Sequence, residues 1–416
     1  MIGLADCNNF FVSCERSVNR ELEGKPVVVL SNNDGCVVAR SNESKRMGVR
    51  MGQPAFELRD AIQSGRLIAL SGNHLLYREI SLRVHDIFRS FVPATIDYSV
   101  DEAFLDVKGI PVAHLAAIGE GIYVACWKRE HIPVTIGFAP SKTLAKVATE
   151  LAKKRGHRVS VIRDEAEALS IIDKLPISDL WGIGRRLTRR LYQMGIYTMG
   201  DFARRPQAWV RKTLGINGER SWLELHCQPC IELAHVDREL QDSISESRTF
   251  PEDVDDYDYI RARVVIYASD CAKKLRAMHG ECRSVGVFLR TNPFHPERAC
   301  CRPEGVVQLS RYVSDTTSIT SAALQILDSI FVEDVPFKRA GVWISDIIPS
   351  AAHTPSLFDL DDPKHEALDK FMRAVDKING DVGHGSLSLA SQIVKVHRGH
   401  NDGYSSSFQA PKRGKN

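Results

Sequence analysis

Residues 98–107 read YSVDEAFLDV. Tyr98, Val100, Phe104 and Leu105 favour a packed, extended backbone, yet Asp101 and Glu102 stand side by side among them. A carboxylate is costly to desolvate in such a setting, and two adjacent ones repel each other. A cation should therefore lie nearby. Successive side chains of a straight strand point to opposite faces, so both acids serve one site only where the chain bends, as at a hairpin tip. A solvated turn and a bound metal are the two readings of the pair.

The pattern around this stretch alternates strand and helix. IGLADC (2–7) is a short apolar strand carrying Asp6, and KPVVVLS (25–31) is a second, of the type buried on both faces. GCVVARSNESKRMGV (35–49) joins a strand to a helix ended near Gly48. A helix follows near 75–90, then strand, bend and strand over 95–107, a helix over 111–129, and a strand over VTIGFA (134–139). SKTLAKVATELAKKRGH opens with a cap at Ser141 and continues as a helix. Such alternation over the first 170 residues predicts an α/β sheet domain with helices packed on it.

From Leu175 to Pro206 the pattern turns helical and short-looped, punctuated by Gly182, Gly184, Gly195 and Gly200. This is a separate small helical unit. Past Ser243 strands surround helices over about 256–279 and 315–331, which reads as an α+β domain with its helices on one face of a sheet. The tail beyond 352 holds an apolar SLFDL, a helical stretch near 362–378 and a polar end, GYSSSFQAPKRGKN, expected to be disordered.

With 416 residues, 43% of them hydrophobic, the chain can build several cores. No run approaches the roughly 20 apolar residues of a membrane span, and Asp6 falls where a secretion signal would be apolar. A soluble, cytoplasmic protein is expected. Its ten cysteines are scattered, so free thiols rather than disulfides are expected. His226, Cys227 and Cys230 in HCQPC amount to half a zinc site without a second CxxC, and the adjacent Cys300 and Cys301 are poorly spaced as its partners. The net charge is only +3, but Lys142, Lys146, Lys153, Lys154 and Arg155 lie in one segment and Arg185, Arg186, Arg189 and Arg190 in another. Each run is either a solvated helix face or a nucleic-acid contact.

If the strands carrying Asp6 and the 101–102 bend lie side by side, three carboxylates converge. Hard oxygen donors without a nearby histidine or thiolate suit magnesium, and two such ions can stabilise the attacking and leaving oxygens of a phosphoryl transfer.

MIGLADCNNFFVSCE (1–15), GKPVVVLSNNDGCVVAR (24–40), KRMGVRMG (45–52), YSVDEAFLDV, IGFAPSKTLAKVATELAKK (136–154) and LWGIGRRL (180–187), in this order, resemble the Y-family translesion DNA polymerases. SNNDGCVVAR and the C-terminal GHGSLSLASQ (383–392) resemble the UmuC branch in particular. The resemblance runs from residue 1 to about 400. It implies a multidomain α/β and α+β right hand: a ferredoxin-like palm with small fingers in 1–175 (fingers about 12–75), a helix-hairpin-helix thumb in 176–240, a little finger in 244–350 and a tail over 351–416. It also implies error-prone, template-directed synthesis in an SOS-type damage response. Two Mg2+ ions would be held by Asp6, Asp101, Glu102 and the main-chain carbonyl of Cys7.

The same resemblance places Phe11 as the steric gate beneath the sugar, a flat apolar wall that leaves a 2′-hydroxyl neither room nor a partner. Phe10 is read as core. Lys45 and Lys153 match the cations that grip the β- and γ-phosphates. Other branches carry arginine at the position of Lys45, and tyrosine where this chain has Asn42. Lys154 and Arg155 are solvated neighbours or DNA contacts. Gly182 and Gly184 let the backbone turn tightly, so that amides at the next helix, with Arg185 and Arg186, face a DNA phosphate. TPSLF (354–358) sits where relatives carry a sliding-clamp peptide, with Leu357 and Phe358 as its apolar anchors and Thr354 in place of the usual glutamine. The implied partners are primer-template DNA, deoxynucleotides, a UmuD-type dimer, the RecA filament and the clamp, with no membrane. Two other readings are a nucleotidyl cyclase, which would not need the basic helical unit, and a DNA-damage scaffold, which would not need all three acids.

Overall fold

The apolar run IGLADC forms β1 (Ile2–Cys7), the middle strand of a sheet whose order fixes the position of every acid discussed above. The computed structural model describes residues 1–31, 35–232, 240–294, 300–352, 363–381 and 387. These residues fall into two compact units, one within Met1–Val236 and one within Asp237–His400.

After β1 come α1 (Phe10–Val18), β2 (Val27–Leu30), β3 (Val37–Arg40), α2 (Asn42–Arg46), α3 (Arg59–Gln63) and β4 (Ile68–Ser71). Then follow α4 (His74–Arg89), β5 (Ala94–Asp97), β6 (Glu102–Asp106), α5 (Val112–Glu130), β7 (Val134–Ala139), α6 (Lys142–Arg155) and β8 (Val159–Val161). The main sheet has the order β5-β6-β1-β7-β8, antiparallel except for the β7–β8 pair. Both its faces are covered. Ala5, Cys7, Leu105 and Ile136 pack with Ile80 and Val84 of α4 and Ile122 of α5, while Leu4 and Phe104 pack with Leu144 and Ala148 of α6.

The strands of the first 170 residues divide between two sheets. β2, β3 and β4 form a separate three-stranded sheet of order β3-β2-β4, because Val28, Leu30 and Val37 bury into their own cluster with Val49, Leu58 and Leu67. Sequence pattern identifies buried strands but does not say which sheet they join.

Gly137 sets the distance of α6 from the sheet. A Cβ there would lie 2.3 Å from the Thr149 amide nitrogen and 2.5 Å from the Ala145 carbonyl oxygen, so the helix backbone rests directly on β7. The helix itself is capped by Ser141, whose side chain accepts from the Leu144 amide.

Four helices complete the first unit: α7 (Glu165–Ile172), α8 (Arg185–Gln193), α9 (Met199–Ala203) and α10 (Gln207–Leu225), the last broken at Gly215. Ile172, Ile177, Leu191, Phe202 and Leu225 are fully buried between them. The second unit is a four-stranded antiparallel sheet made of β9 (Ser243–Val254), β10 (Gly280–Thr291), β11 (Glu304–Val313) and β12 (Phe337–Pro349) in the order β11-β10-β12-β9. Helices α11 (Tyr257–Ala277) and α12 (Thr316–Ile330) cover one face of it around Val264, Leu275, Val285, Val342 and Leu327. A further helix, α13 (Pro363–Asp381), is tied to α11 by the Arg276–Asp376 ion pair at 2.6 Å. All ten cysteines are free. No described helix is long and apolar enough to cross a membrane. The TPSLF segment with Leu357 and Phe358, and the polar C-terminal end, lie outside the described residues.

Candidate active site

Register brings the acids together two at a time. β1 pairs with β6 so that Leu4 faces Phe104 and Asp6 faces Glu102. Strand alternation therefore puts Asp6 and Glu102 on the face covered by α6. There the two acids border a cavity with Lys146, Glu150 and Trp181. Asp101 sits one residue outside β6, at the turn, and shares a second cleft with Asp6, Phe11, Arg40, Lys45, Met51 and Lys153. The turn is pinned to the end of β1 by a hydrogen bond from the Cys7 amide to the Asp101 carbonyl at 2.9 Å. Asp6 is common to both cavities.

Each acid has its own partner. Lys153 Nζ donates to Asp6 Oδ2 at 2.6 Å and to Glu150 at 3.2 Å, Lys146 Nζ reaches both oxygens of Glu102 at 2.9 and 3.0 Å, and Ser99 Oγ donates to Asp101 at 2.6 Å. Burial pushes the Asp6 carboxyl up to about 7; Lys153 pulls it back and Glu102 adds to the rise. Burial opposes the charge of Lys153, but Asp6 and Glu150 outweigh it and raise its pKa.

Among the described residues no three acidic, histidine or cysteine side chains form a metal-sized cluster. In this conformation Asp6 and Glu102 face each other across the strand pair, and Asp101 at the turn accepts from Ser99. The donor set nevertheless suits a hard divalent cation, being all oxygen. The Cys7 thiol is fully buried and burial holds its pKa well above the usual thiol range, so this residue offers a main-chain carbonyl rather than a thiolate. Against the effect of burial, Lys153 pulls the Asp6 pKa down, and the Lys146 ammonium bonds both oxygens of Glu102.

The second cleft has a rigid apolar wall. Phe10 is buried in the core, whereas Phe11 lines the cleft with its ring stacked on Tyr77 at 4.4 Å and edge-on to His74 at 5.7 Å. Tyr77 in turn donates its hydroxyl to Glu15 at 2.7 Å inside the core. Burial, then Glu15, keep that phenol protonated. Across the cleft Lys45 donates to Asn9 Oδ1 at 2.6 Å, and Asn9 donates to Asn42 at 3.1 Å. Burial, Arg40 and Lys153 lower the pKa of Lys45.

In the helical unit Gly182 has φ 89°, a left-handed conformation that favours glycine, and it precedes the start of α8 at Arg185. The matching expectation for Gly184 is corrected: its φ of −87° is open to any residue. Gly184 caps α8 without a side-chain hydrogen bond, leaving first-turn amides for another acceptor. Arg185, Arg186, Arg189 and Arg190 are exposed. The other basic run is not a uniform face. Lys146 and Lys153 turn to the carboxylates, Lys142 donates to the Ile231 carbonyl, and Lys154 pairs with Asp179 at 3.1 Å.

Sequence reasoning gave Lys146 no role beyond its basic run and passed over Arg40, Asn9 and Tyr77. The i, i+7 spacing of Lys146 and Lys153 was the one available signal, since it puts both on the same side of a helix. Nothing local marks the others.

Comparison with known proteins shows the family to which the chain belongs. Residues 5–150 match the impB/mucB/samB family, 241–357 match that family's C-terminal domain, and 165–196 match the IMS family HHH motif. Protein UmuC of Salmonella typhimurium is 35% identical over 400 residues, covering 94% of this chain and 93% of that protein. Protein MucB of Escherichia coli is 33% identical over 95% of this chain and 93% of its own length. DNA polymerase IV of Moorella thermoacetica is 29% identical over 94% and 96%. Among solved structures, a Y-family DNA polymerase chimera matches with a TM-score of 0.67 at 23% identity, covering 84% of this chain and 99% of the other. The fold is therefore that of the Y-family DNA polymerases, a class of DNA-directed enzymes that depend on divalent metal. Within that class, this chain belongs to the impB/mucB/samB family, the branch that includes UmuC.

Proposed function

We propose that this chain is an error-prone translesion DNA polymerase of the SOS-type damage response, working with two magnesium ions bound by Asp6, Asp101, Glu102 and the Cys7 carbonyl. The observation that carries the site assignment is the register pair Asp6–Glu102, two acids on adjoining strands with Asp101 at the turn beside them. When bound, the ions would lower the pKa of the primer 3′-hydroxyl and shield the charge of the reacting phosphate.

The protein residues do the rest. Lys45 and Lys153 would hold the triphosphate as point charges, and Asp6, which Lys153 pairs with here, would be one of the residues holding the metal. Phe11, fixed by Tyr77, lies under the sugar and excludes a 2′-hydroxyl. The first-turn amides after Gly182 and Gly184, with Arg185 and Arg186, take a phosphate of the duplex without reading bases, so binding depends on salt. A UmuD-type dimer, the RecA filament and a clamp held through Leu357 and Phe358 are the proposed partners, and the cytoplasm, at the nucleoid, is the proposed place of action.

The test is primer extension on an undamaged and an abasic template with magnesium, wild type beside Asp101→Ala. Extension by the wild type on both templates and none by the variant is expected. A variant that extends as well as the wild type removes Asp101 from the site. If neither extends while both bind the primer, even with the accessory dimer and RecA added, the chain is a scaffold.

A further inference from the structure

Three cations line the cleft beside Phe11: Lys153, Lys45 and Arg40. Lys153 is matched by Asp6 and Glu150. Lys45 donates to the neutral Asn9 amide, and neither it nor Arg40 forms an ion pair among the described residues. Arg40 is the last residue of β3, where Val38 and Arg40 alternate with the buried Val37 and Ala39. Its Nη1 donates to the Val49 carbonyl at 2.7 Å, while its Nε is buried with no partner.

A tether between β3 and the Val49 segment would explain the first bond. It does not explain why a guanidinium should keep a desolvated donor unused, nor why Arg40 and Lys45 stand in the cleft without an ion pair of their own among the described residues. A donor left unpaired in this way makes the present conformation easy to leave. Three cations face two carboxylates, Asp6 and Asp101, in this cleft, an excess of positive charge that is complementary to a polyanion, and a guanidinium presents its donors as a fork that matches phosphate oxygens.

We propose that Arg40 is a substrate-binding residue whose guanidinium takes the triphosphate of the incoming nucleotide beside Lys45 and Lys153. It supplies from β3 the two-pronged grip that Lys45, a point charge where other branches carry arginine, cannot provide. This rests on the reading of the cleft as a nucleotide site, and deepens it by naming a residue outside that reading.

The experiment is titration calorimetry of the full chain with inorganic triphosphate and with dTTP, for wild type, Arg40→Ala, Arg40→Lys and Lys45→Ala, beside primer extension by each. The expected result is about 10- to 100-fold weaker triphosphate binding for Arg40→Ala, the scale of a lost charge-assisted hydrogen bond, with partial recovery in Arg40→Lys. The KM for dTTP should rise by a similar factor while kcat changes far less. Should Arg40→Ala fail to fold, Arg40→Lys decides, since lysine can still reach the Val49 carbonyl but has no fork. Wild-type affinity in that variant overturns the proposal, as does absence of triphosphate binding by the wild type. Arg40-dependent binding without any primer extension would sink the polymerase reading and leave Arg40 in place; extension with Arg40-independent binding would do the reverse.

Discussion

Lys146 holds Glu102 by both carboxylate oxygens, its ammonium 2.9 Å from one and 3.0 Å from the other. The same ammonium lies 4.6 Å from the Tyr98 ring centre and 5.5 Å from that of Trp181, and Trp181 donates its indole N–H to the Tyr98 hydroxyl at 3.2 Å. Lys146 thus joins α6, the 98–102 turn and the start of the helical unit through one charge. Replacing it with methionine keeps the stem but leaves Glu102 without its cation in a setting about four-fifths covered. We expect Lys146→Met to lose about 1–3 kcal/mol of stability without metal, the range for stranding a partly buried partner. Urea unfolding in the presence of a chelator, followed by tryptophan fluorescence, measures this. An unchanged midpoint would show that the pair contributes nothing.

Phe11 stacks on Tyr77 at an interplanar angle of 14°, and Tyr77 is fixed by Glu15. The ring cannot easily yield to a ribose. Phe11→Ala should raise ribonucleotide use relative to deoxynucleotide use by roughly 10- to 200-fold, the scale on which a missing group changes discrimination in an apolar pocket. Phe11→Tyr should keep the exclusion. Single-nucleotide extension with dCTP and CTP gives the ratio, and an unaltered ratio in Phe11→Ala would remove Phe11 from the sugar site.

Much of this was legible along the chain because the information is local. Ser141 caps α6 where its type and position predict, and the bend before Glu102 follows from two acids within a strand pattern. What was not legible depends on packing between distant segments. A run of five cations cannot reveal which two turn inward until the face of α6 on the sheet is known, and Gly137 fixes that face from another strand. Arg40 is hidden for the same reason. In CVVAR it reads as an ordinary strand end, and only its neighbours across the cleft give it meaning.

Gly137→Ala tests that dependence. Its Cβ would meet backbone atoms of α6 rather than the yielding end of a side chain, so the helix must shift or the strand must distort. We expect a loss of at least about 1–3 kcal/mol, the usual cost of overpacking. Primer extension should fall as well, because Lys146 and Lys153 both ride on the displaced helix. A variant that melts with the wild type and extends primers normally would mean that α6 is less closely set than described.

The acid sensitivity of the helical unit should trace in part to Asp201. Its carboxylate accepts from the Tyr197 and Thr198 amides, each at 3.0 Å, while Thr198 accepts from the Asp201 amide at 2.9 Å, a reciprocal cap at the start of α9. The Thr198 amide first, then that of Tyr197, hold its pKa down from 3.8 to about 2. The sign follows from proton uptake. Above about pH 5 the carboxylate is ionised in both folded and unfolded chains, and its contribution to stability is fully present. Between 3.8 and 2 the unfolded chain binds the proton first, so that contribution is lost as pH falls. Asp201→Asn lacks the charge at every pH. The stability difference between wild type and Asp201→Asn should therefore be constant from pH 7 to 5 and shrink toward pH 2. Urea midpoints of the two proteins at pH 7, 5, 3 and 2.5 check this, and a difference that stays the same at pH 2.5 would place the acid sensitivity elsewhere.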